Sequence, residues 1–125
     1  MTAPDFREGK LLRIFLDEQD RSGVQPAYTA IVEFLRKSGV SGATVFRGIE
    51  GFGGHNQVHV ARVFSWFPNL PILIEVVDEW RVLEPLLPQL EAMIGEGLVT
   101  IEAAQYLRLT KPKGGASAGR SPDSG

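Results

Sequence analysis

The sequence predicts a single α+β domain in which strands and helices follow one another in the order β-α-β-β-α-β. Two observations lead to this prediction. Short apolar segments rich in β-branched residues alternate with two longer segments of helical periodicity, and turn-forming Gly and Pro residues separate them. The length of 125 residues suits one domain with one core. Hydrophobic residues make up 43% of the chain and charged residues 22%, which is ordinary for a globular protein.

The first half of the predicted domain contains a strand, a helix and a second strand. Residues 11–16 are predicted to form the first strand, with apolar side chains on both of its faces. Residues 17–23 form a polar turn, and Pro26 suits the first turn of the helix that follows. Gly39 ends this helix, and residues 43–46 form the second strand.

The second half contains a strand, a helix and a last strand. Residues 72–77 form the third strand, which is also apolar on both faces. Residues 80–94 have the spacing of an amphipathic helix, and Pro85 and Pro88 predict an irregular first turn because each removes a backbone donor. Residues 98–109 form a long last strand.

This order of elements is typical of the ferredoxin-like fold, an antiparallel sheet with two helices on one face. The two helices can cover only that face. Because the first and third strands are apolar on both faces, the second face should also be buried, and another copy of the chain would cover it. The sequence therefore predicts a homo-oligomer, without defining its number of subunits.

The two ends of the chain differ in composition from the predicted domain. Residues 1–8 are expected to form a flexible N-terminus, and residues 9–110 the structured domain. Residues 111–125 are rich in Gly, Ser and Pro and contain no aromatic or branched apolar residue, which predicts a disordered tail.

Composition excludes several classes of function. The formal net charge of −2 argues against general nucleic-acid binding. The absence of Cys excludes disulfides, Cys-based metal sites and a thiol nucleophile. The sequence begins without the apolar stretch of a signal peptide, and no apolar run approaches the roughly 18 residues of a membrane span. We expect a cytoplasmic protein with no nucleic-acid partner.

Three sequence runs carry a resemblance to a known family. They are GATVFRGIEGFG at residues 42–53, LPILIEVVD at residues 70–78 and GEGLVT at residues 95–100. In spacing and composition, the three runs together resemble an uncharacterised bacterial and archaeal family of PII-like proteins. The resemblance covers nearly all of residues 10–110.

That family is similar to the nitrogen-regulatory PII proteins, which are trimers of ferredoxin-like subunits that bind nucleotides in the clefts between subunits. The resemblance implies a PII-like homotrimer that acts in signal transduction and is not an enzyme. It implies that segment 48–69 is the signalling loop, or T-loop, which contacts a target protein such as a membrane transporter. The turn at residues 95–98 would lie opposite that loop across the cleft.

The match to true PII proteins is partial. Residues 51–53 match the Gly-Phe-Gly at the loop base, and residues 95–97 match the Gly-x-Gly that holds phosphates. PII proteins follow that Gly-x-Gly with a Lys, where this chain has Leu98. Of two alternating Arg residues in the last strand, Arg108 matches one and Thr110 replaces the other. A ligand with fewer than three phosphates, or another small anion, is therefore favoured.

The predicted ligand site combines glycines with two arginines. Gly-rich backbone can form a nest of N–H groups for an anion, the alternative being a plain flexible loop. An Arg side chain can pair with phosphate or carboxylate, the alternative being a solvated surface residue. We expect an adenine nucleotide or another small anionic effector, and no cofactor. The predicted ligand-binding residues are Arg47, Gly51, Phe52, Gly53, Gly54, His55, Gly95, Glu96, Gly97, Leu98 and Arg108.

Two other functions are alternatives. His55 and His59 are spaced by four residues, which on a helix would suit metal binding, so a metal-responsive trimer is one alternative. The surrounding Gly and Asn residues disfavour a helix there. A small hydrolase or isomerase acting in the cleft is the second alternative, although the sequence has no recognisable catalytic constellation.

Overall fold

The computed structural model describes residues 5–53, 59–60 and 69–110, with the backbone alone at 59–60. Its elements, in chain order, are β1 (Arg7–Asp17), β2 (Arg21–Ser22), β3 (Gln25–Pro26), α1 (Ala27–Lys37), β4 (Thr44–Arg47), β5 (Glu50–Gly51), β6 (His59–Val60), β7 (Pro71–Asp78), α2 (Trp80–Leu83), a 3₁₀ turn (Glu84–Leu86), α3 (Leu87–Ile94) and β8 (Leu98–Tyr106).

Four of the strands form one antiparallel sheet in the order β4-β7-β1-β8. At its centre Ile14 of β1 lies opposite Ile74 of β7 on one side and Val99 of β8 on the other. The strands β2 and β3 pair with each other, as do β5 and β6, each over two residues outside this sheet. The predicted α+β fold, with a four-stranded antiparallel sheet and two helical segments, is confirmed.

The core lies between the helices and one face of the sheet. Successive side chains of a strand point to opposite faces, so alternate residues of β1 and β7 are buried, whereas their neighbours are not. Burying a Leu or Ile side chain completely stabilises the fold by roughly 1.5–3 kcal/mol. Both helical segments contribute such side chains. The largest fully buried ones are Leu12, Ile14, Ile31, Leu35, Ile74, Leu83, Leu90 and Val76.

The second helical segment is not the continuous helix predicted for residues 80–94. Its first turn is regular α-helix, the 3₁₀ turn contains Pro85, and α3 has Pro88 in its first turn. The prediction of an irregular first turn was wrong in position, because Pro85 acts after α2 has already formed one turn. Among the described residues, no helix is long and apolar enough to cross a bilayer.

Several strand ends differ from the predicted ones. The strand β1 begins at Arg7 instead of residue 11, so two residues assigned to the flexible N-terminus belong to the sheet. The strand β8 ends at Tyr106 instead of residue 109. Arg7 pairs with Tyr106, so the ladder between the two strands sets both ends. Within segment 48–69, Glu50–Gly51 pairs with His59–Val60.

The face of the sheet away from the helices, which we call the outer face, remains partly exposed. Phe15 is 38% exposed and Leu98 is 58% exposed. At the centre of this face the Nε atom of Arg13 lies 2.9 Å from Glu75 Oε2, and a second ion pair joins Arg13 to Glu102. These pairs connect β1 to both of its neighbours. The apolar residues of the outer face include Leu11, Phe15, Phe46, Leu73, Val77 and Leu98.

Candidate functional site

A first cavity of about 490 Å³ lies at the end of the sheet where β1 ends and where β7 and β8 begin. It brings together the two Gly-containing runs that the sequence indicated. From the first run it includes Gly51, Phe52 and Gly53, and from the second run Glu96, Gly97 and Leu98. The other residues that line it are Phe15, Leu16, Asp17, Asp20, Pro71 and Ile72.

The glycines in and beside this cavity are there for different reasons. A Cβ atom on Gly97 would lie 2.6 Å from the carbonyl oxygen of Phe15, so only glycine lets this turn approach β1 so closely. Gly95 has a φ of 68°, in the left-handed region that favours glycine at a helix end. A Cβ atom on Gly53 would meet none of the described residues within 4 Å. Packing therefore requires a glycine at position 97, whereas packing does not explain the glycine at position 53.

The charged groups of the first cavity are acidic. Asp17, Asp20 and Glu96 line it, and none of the described residues that line it is Lys or Arg. The carboxylate Oδ2 of Asp20 accepts a hydrogen bond of 3.0 Å from the Asp17 backbone N–H, which fixes the turn after β1. This lining does not favour a run of phosphates without a cation from elsewhere.

Arg47 belongs to neither of the two cavities described here. Its Nε atom lies 2.7 Å from Glu18 Oε1. The backbone N–H of Glu18 donates a hydrogen bond of 2.9 Å to the carbonyl oxygen of Leu70. Glu18 thus connects both flanks of segment 48–69, and the prediction that Arg47 contacts a ligand remains a prediction.

A second cavity of about 470 Å³ lies at the opposite end of the sheet, and Arg108 is part of its wall. The guanidinium Nη2 of Arg108 donates a hydrogen bond of 2.7 Å to Ser41 Oγ, and its Cζ atom lies 5.5 Å from the centre of the Tyr106 ring. The other residues of this cavity are Gly42, Ala43, Thr44, Glu75, Val76, Val77 and Leu107.

Asp78 is a buried carboxylate behind the second cavity and is 7% exposed. It accepts hydrogen bonds from Ser41 N at 3.0 Å, Ser41 Oγ at 2.9 Å and Glu79 N at 2.8 Å. Burial by itself raises the pKa of Asp78, but these hydrogen bonds and the nearby charge of Arg108 outweigh burial and lower the pKa. The carboxylate is therefore ionised and acts as an acceptor.

Arg108 and the glycines of the first cavity lie toward opposite ends of the strands. Ile72 lines the first cavity, and Asp78, which Ser41 connects to Arg108, lies six residues further along β7, a distance of roughly 20 Å along an extended strand. Within one chain, Arg108 therefore does not join the glycines at residues 51–53 and 95–97. One small ligand can contact both groups only where two copies of the chain meet.

His55, His59 and Gly54 all belong to the part of the chain between β5 and β7. Gly54 and His55 lie outside the described residues. The backbone of His59 is in β6 and pairs with Gly51, so His59 does not lie in a helix, where a spacing of four residues would suit metal binding. Within the described ranges, no group of three or more His, Cys, Asp or Glu residues could hold a metal ion.

Several cavity residues were missed by sequence reasoning. Asp17 and Asp20 belong to a turn that reads as ordinary polar surface, and Ser41 precedes a strand without any motif. Ser41 and Asp78 are 37 positions apart in the sequence. What these residues share is a position near the end of a strand. Such a position indicates a cavity residue only when the order of the strands is known.

A model of the DUF190 family, described as Uncharacterized ACR, matches residues 9–106. The chain belongs to the DUF190 family. This DUF190 protein is 32% identical over 100 residues to a UPF0166 protein of Aquifex aeolicus, with 80% of this chain and 94% of the relative covered. It is 37% identical over 95 residues to a UPF0166 protein of Methanocaldococcus jannaschii, with 75% of this chain and 87% of the relative covered.

Solved structures connect this DUF190 protein to PII-like proteins. CPII, a nitrogen regulatory PII-like protein from Thiomonas intermedia K12, was solved with ADP, AMP and bicarbonate bound. It matches with a TM-score of 0.65 and 20% identity, over 85% of this chain and 94% of CPII. A second CPII structure, with ADP and bicarbonate bound, has a TM-score of 0.62. The resemblance to a PII-like family is therefore confirmed, and the structural likeness shows a shared fold.

Proposed function

We propose that this protein is a PII-like regulatory protein of the cytoplasm that binds a small anionic ligand in clefts between the subunits of a homotrimer. Its role is to bind a ligand and regulate a partner, not to catalyse a reaction. The observation that carries the proposal is the division of the predicted ligand residues between opposite ends of one sheet. A shared site would need the first cavity of one copy and the second cavity of its neighbour.

The outer face supports assembly from several copies. It carries apolar side chains next to both cavities, including Phe15 at the first and Val77 at the second. Burying such surface against another copy would remove it from water at a gain of roughly 25 cal/mol per Å² of apolar area. Assembly through this face would also bring cavities of neighbouring copies together.

The charges of the two cavities favour a ligand of low phosphate content. Arg108 is the one cationic residue among those that line either cavity in the described part of the chain. One Arg beside several carboxylates suits a mono- or diphosphate better than a triphosphate. Among similar folds, CPII is solved with ADP, AMP and bicarbonate, and these are the ligands to test first.

We further propose that segment 48–69 presents the regulated surface to a target protein, for which a membrane transporter is the candidate. Both flanks of the segment are held to the domain. Gly48 N donates a hydrogen bond of 2.8 Å to the Pro71 carbonyl oxygen, and Glu18 contacts Arg47 and Leu70. Phe52 and Gly53, inside the segment, also line the first cavity. A ligand in that cavity would contact the segment directly.

Calorimetric titration with ADP, AMP, ATP, a cyclic dinucleotide and bicarbonate tests the ligand. We expect one nucleotide with fewer than three phosphates to bind, at one site per chain, more tightly than ATP. Arg108→Ala should weaken its binding by about tenfold or more, since a hydrogen bond to a charged group contributes about 1.5–3 kcal/mol. Arg36→Ala removes an exposed Arg outside both cavities and should leave affinity unchanged. Absence of binding by every nucleotide would contradict the nucleotide part of the proposal.

A further inference from the structure

Arg108 is held at the second cavity from two sides. Its Nη2 atom donates to Ser41 Oγ at 2.7 Å, and its guanidinium carbon lies 5.5 Å from the centre of the Tyr106 ring. A long Arg side chain loses rotamer entropy when it is confined, and confinement before binding removes this cost from the binding step. The geometry therefore favours a guanidinium that is already in place before a ligand arrives.

The hydroxyl of Ser41 gives this contact a direction. Ser41 Oγ lies 2.9 Å from Asp78 Oδ2, and an ionised carboxylate can only accept hydrogen bonds. The single hydroxyl proton therefore points at Asp78. This leaves the lone pairs of Ser41 Oγ to accept from Arg108. The donors run from Arg108 to Ser41 and from Ser41 to Asp78.

The two ends of this chain of hydrogen bonds are themselves fixed by the fold. Asp78 also accepts from the backbone N–H groups of Ser41 and Glu79, so its carboxylate has one orientation. On the other side, a Cβ atom on Gly9 would lie 2.7 Å from Tyr106 Cε1, which shows that the Tyr106 ring lies directly on the Gly9 backbone. Both supports of Arg108 are thus anchored to the sheet.

We propose that Ser41 and Asp78 are positioning residues that hold the Arg108 guanidinium in the wall of the second cavity, ready to bind a phosphate or carboxylate group. The proposal deepens the proposed function, because the group bound would be the anionic end of that ligand. A guanidinium has five N–H donors, and Ser41 Oγ accepts from Nη2 alone. Two of the other donors suit two oxygens of such a group. The binding of the uncharged part of a nucleotide would not depend on how Arg108 is held.

The positioning can be tested without any ligand. In ¹⁵N NMR spectra of the full chain, rotation about the Nε–Cζ bond of Arg108 is measured from the exchange of its Nη resonances. Ser41→Ala should accelerate this rotation by about tenfold or more, in line with the loss of one charge-assisted hydrogen bond. Ser41→Thr keeps the hydroxyl and should restore slow rotation. An unchanged rate in a folded Ser41→Ala protein would overturn the proposal.

Ligand binding provides the second readout, with ADP and adenosine as probes. Ser41→Ala should weaken the binding of ADP by about tenfold and the binding of adenosine by less than about twofold, because adenosine has no anionic group. In an Arg108→Ala background, Ser41→Ala should have no further effect, since the two residues act together. Ser38→Ala is the matched control: it removes a hydroxyl that donates to the Phe34 carbonyl oxygen at 2.7 Å, outside both cavities.

The outcomes separate this proposal from the proposed function. If the wild-type chain binds neither probe, ADP and adenosine are excluded as ligands, and the NMR experiment alone decides whether Ser41 positions Arg108. If ADP binds but Ser41→Ala and Ser38→Ala weaken it equally, the positioning role is overturned, whereas the ligand site stands. Additive effects of Ser41→Ala and Arg108→Ala would also overturn it.

Discussion

Asp78 is a buried charge, and its place in the fold depends on the hydrogen bonds that it accepts. Removing a carboxylate from water costs free energy, and the structure offsets that cost with three donors and the neighbouring Arg108. The sequence indicated Asp78 only as the last residue of an apolar strand. The alternation of β7 places Asp78 on its buried face. Its donor Ser41 could not be predicted, because that contact depends on the pairing of β4 with β7.

The lowered pKa of Asp78 predicts a pH dependence of stability. A carboxyl whose pKa is lower in the folded state than in the unfolded state stabilises the fold above its unfolded value, near 3.8 for Asp. This contribution is lost as the pH falls through the lower, folded value. Urea unfolding from neutral pH downward should therefore show a free energy of unfolding that decreases in acid.

Two variants isolate the contribution of Asp78 to that dependence. Asp78→Asn should reduce the free energy of unfolding at neutral pH by about 1–3 kcal/mol, since it leaves donors without their charged acceptor. The decrease of stability in acid should be smaller in this variant. Asp5→Asn changes an exposed carboxylate and should follow the wild type at every pH. Equal acid sensitivity in all three proteins would show that Asp78 is not responsible.

At the level of elements, periodicity predicted most of the sheet and both helical segments. It missed the beginning of β1, because the charged residues there do not have the apolar pattern of a strand. This part of β1 forms because β8 pairs with it. The prediction placed the irregularity in the first turn of the second helical segment, whereas the interruption follows α2 at Pro85. Local patterns identify elements well, whereas the ends of elements depend on partners that are distant in the sequence.

The connection between α3 and β8 provides a test at this level. Gly97→Ala should lower the free energy of unfolding by about 1–3 kcal/mol, since its Cβ would lie 2.6 Å from the Phe15 carbonyl oxygen and 2.9 Å from Ile94 Cγ2. Gly53→Ala is the matched control, with open space around its Cβ, and should change stability by less than about 1 kcal/mol. Thermal and urea unfolding measure both. If the two variants are equally stable, Gly97 is not required for packing.

For the whole molecule, the division between the helix-covered face and the outer face is the main property. The sequence indicated both apolar faces from β1 and β7 alone. It could not show that Arg13, Glu75 and Glu102 form ion pairs in the middle of the outer face, since these residues come from three strands. Nor could it show that the predicted ligand residues divide between two cavities, since that needs the directions of all strands.

Assembly through the outer face predicts the mass of the protein in solution. Multi-angle light scattering should give three times the chain mass of 13.7 kDa. Leu11→Glu places a charge on the outer face opposite Val77 and should yield monomers, because an unpaired buried charge costs several kcal/mol. Val24→Glu changes a side chain that is 99% exposed and should remain trimeric. A monomeric wild type would contradict the intersubunit site.

The strands β1 and β7 span the distance between the two cavities, and this has a consequence for how successive ligands interact. A chain that shares each cavity with a different neighbour would touch two ligand molecules, one at either end of the same rigid sheet. Closing such an arrangement into a ring makes the number of complete sites equal to the number of chains. A shift of one strand caused by the first bound ligand would then change the site at the other end of the sheet without the movement of any loop.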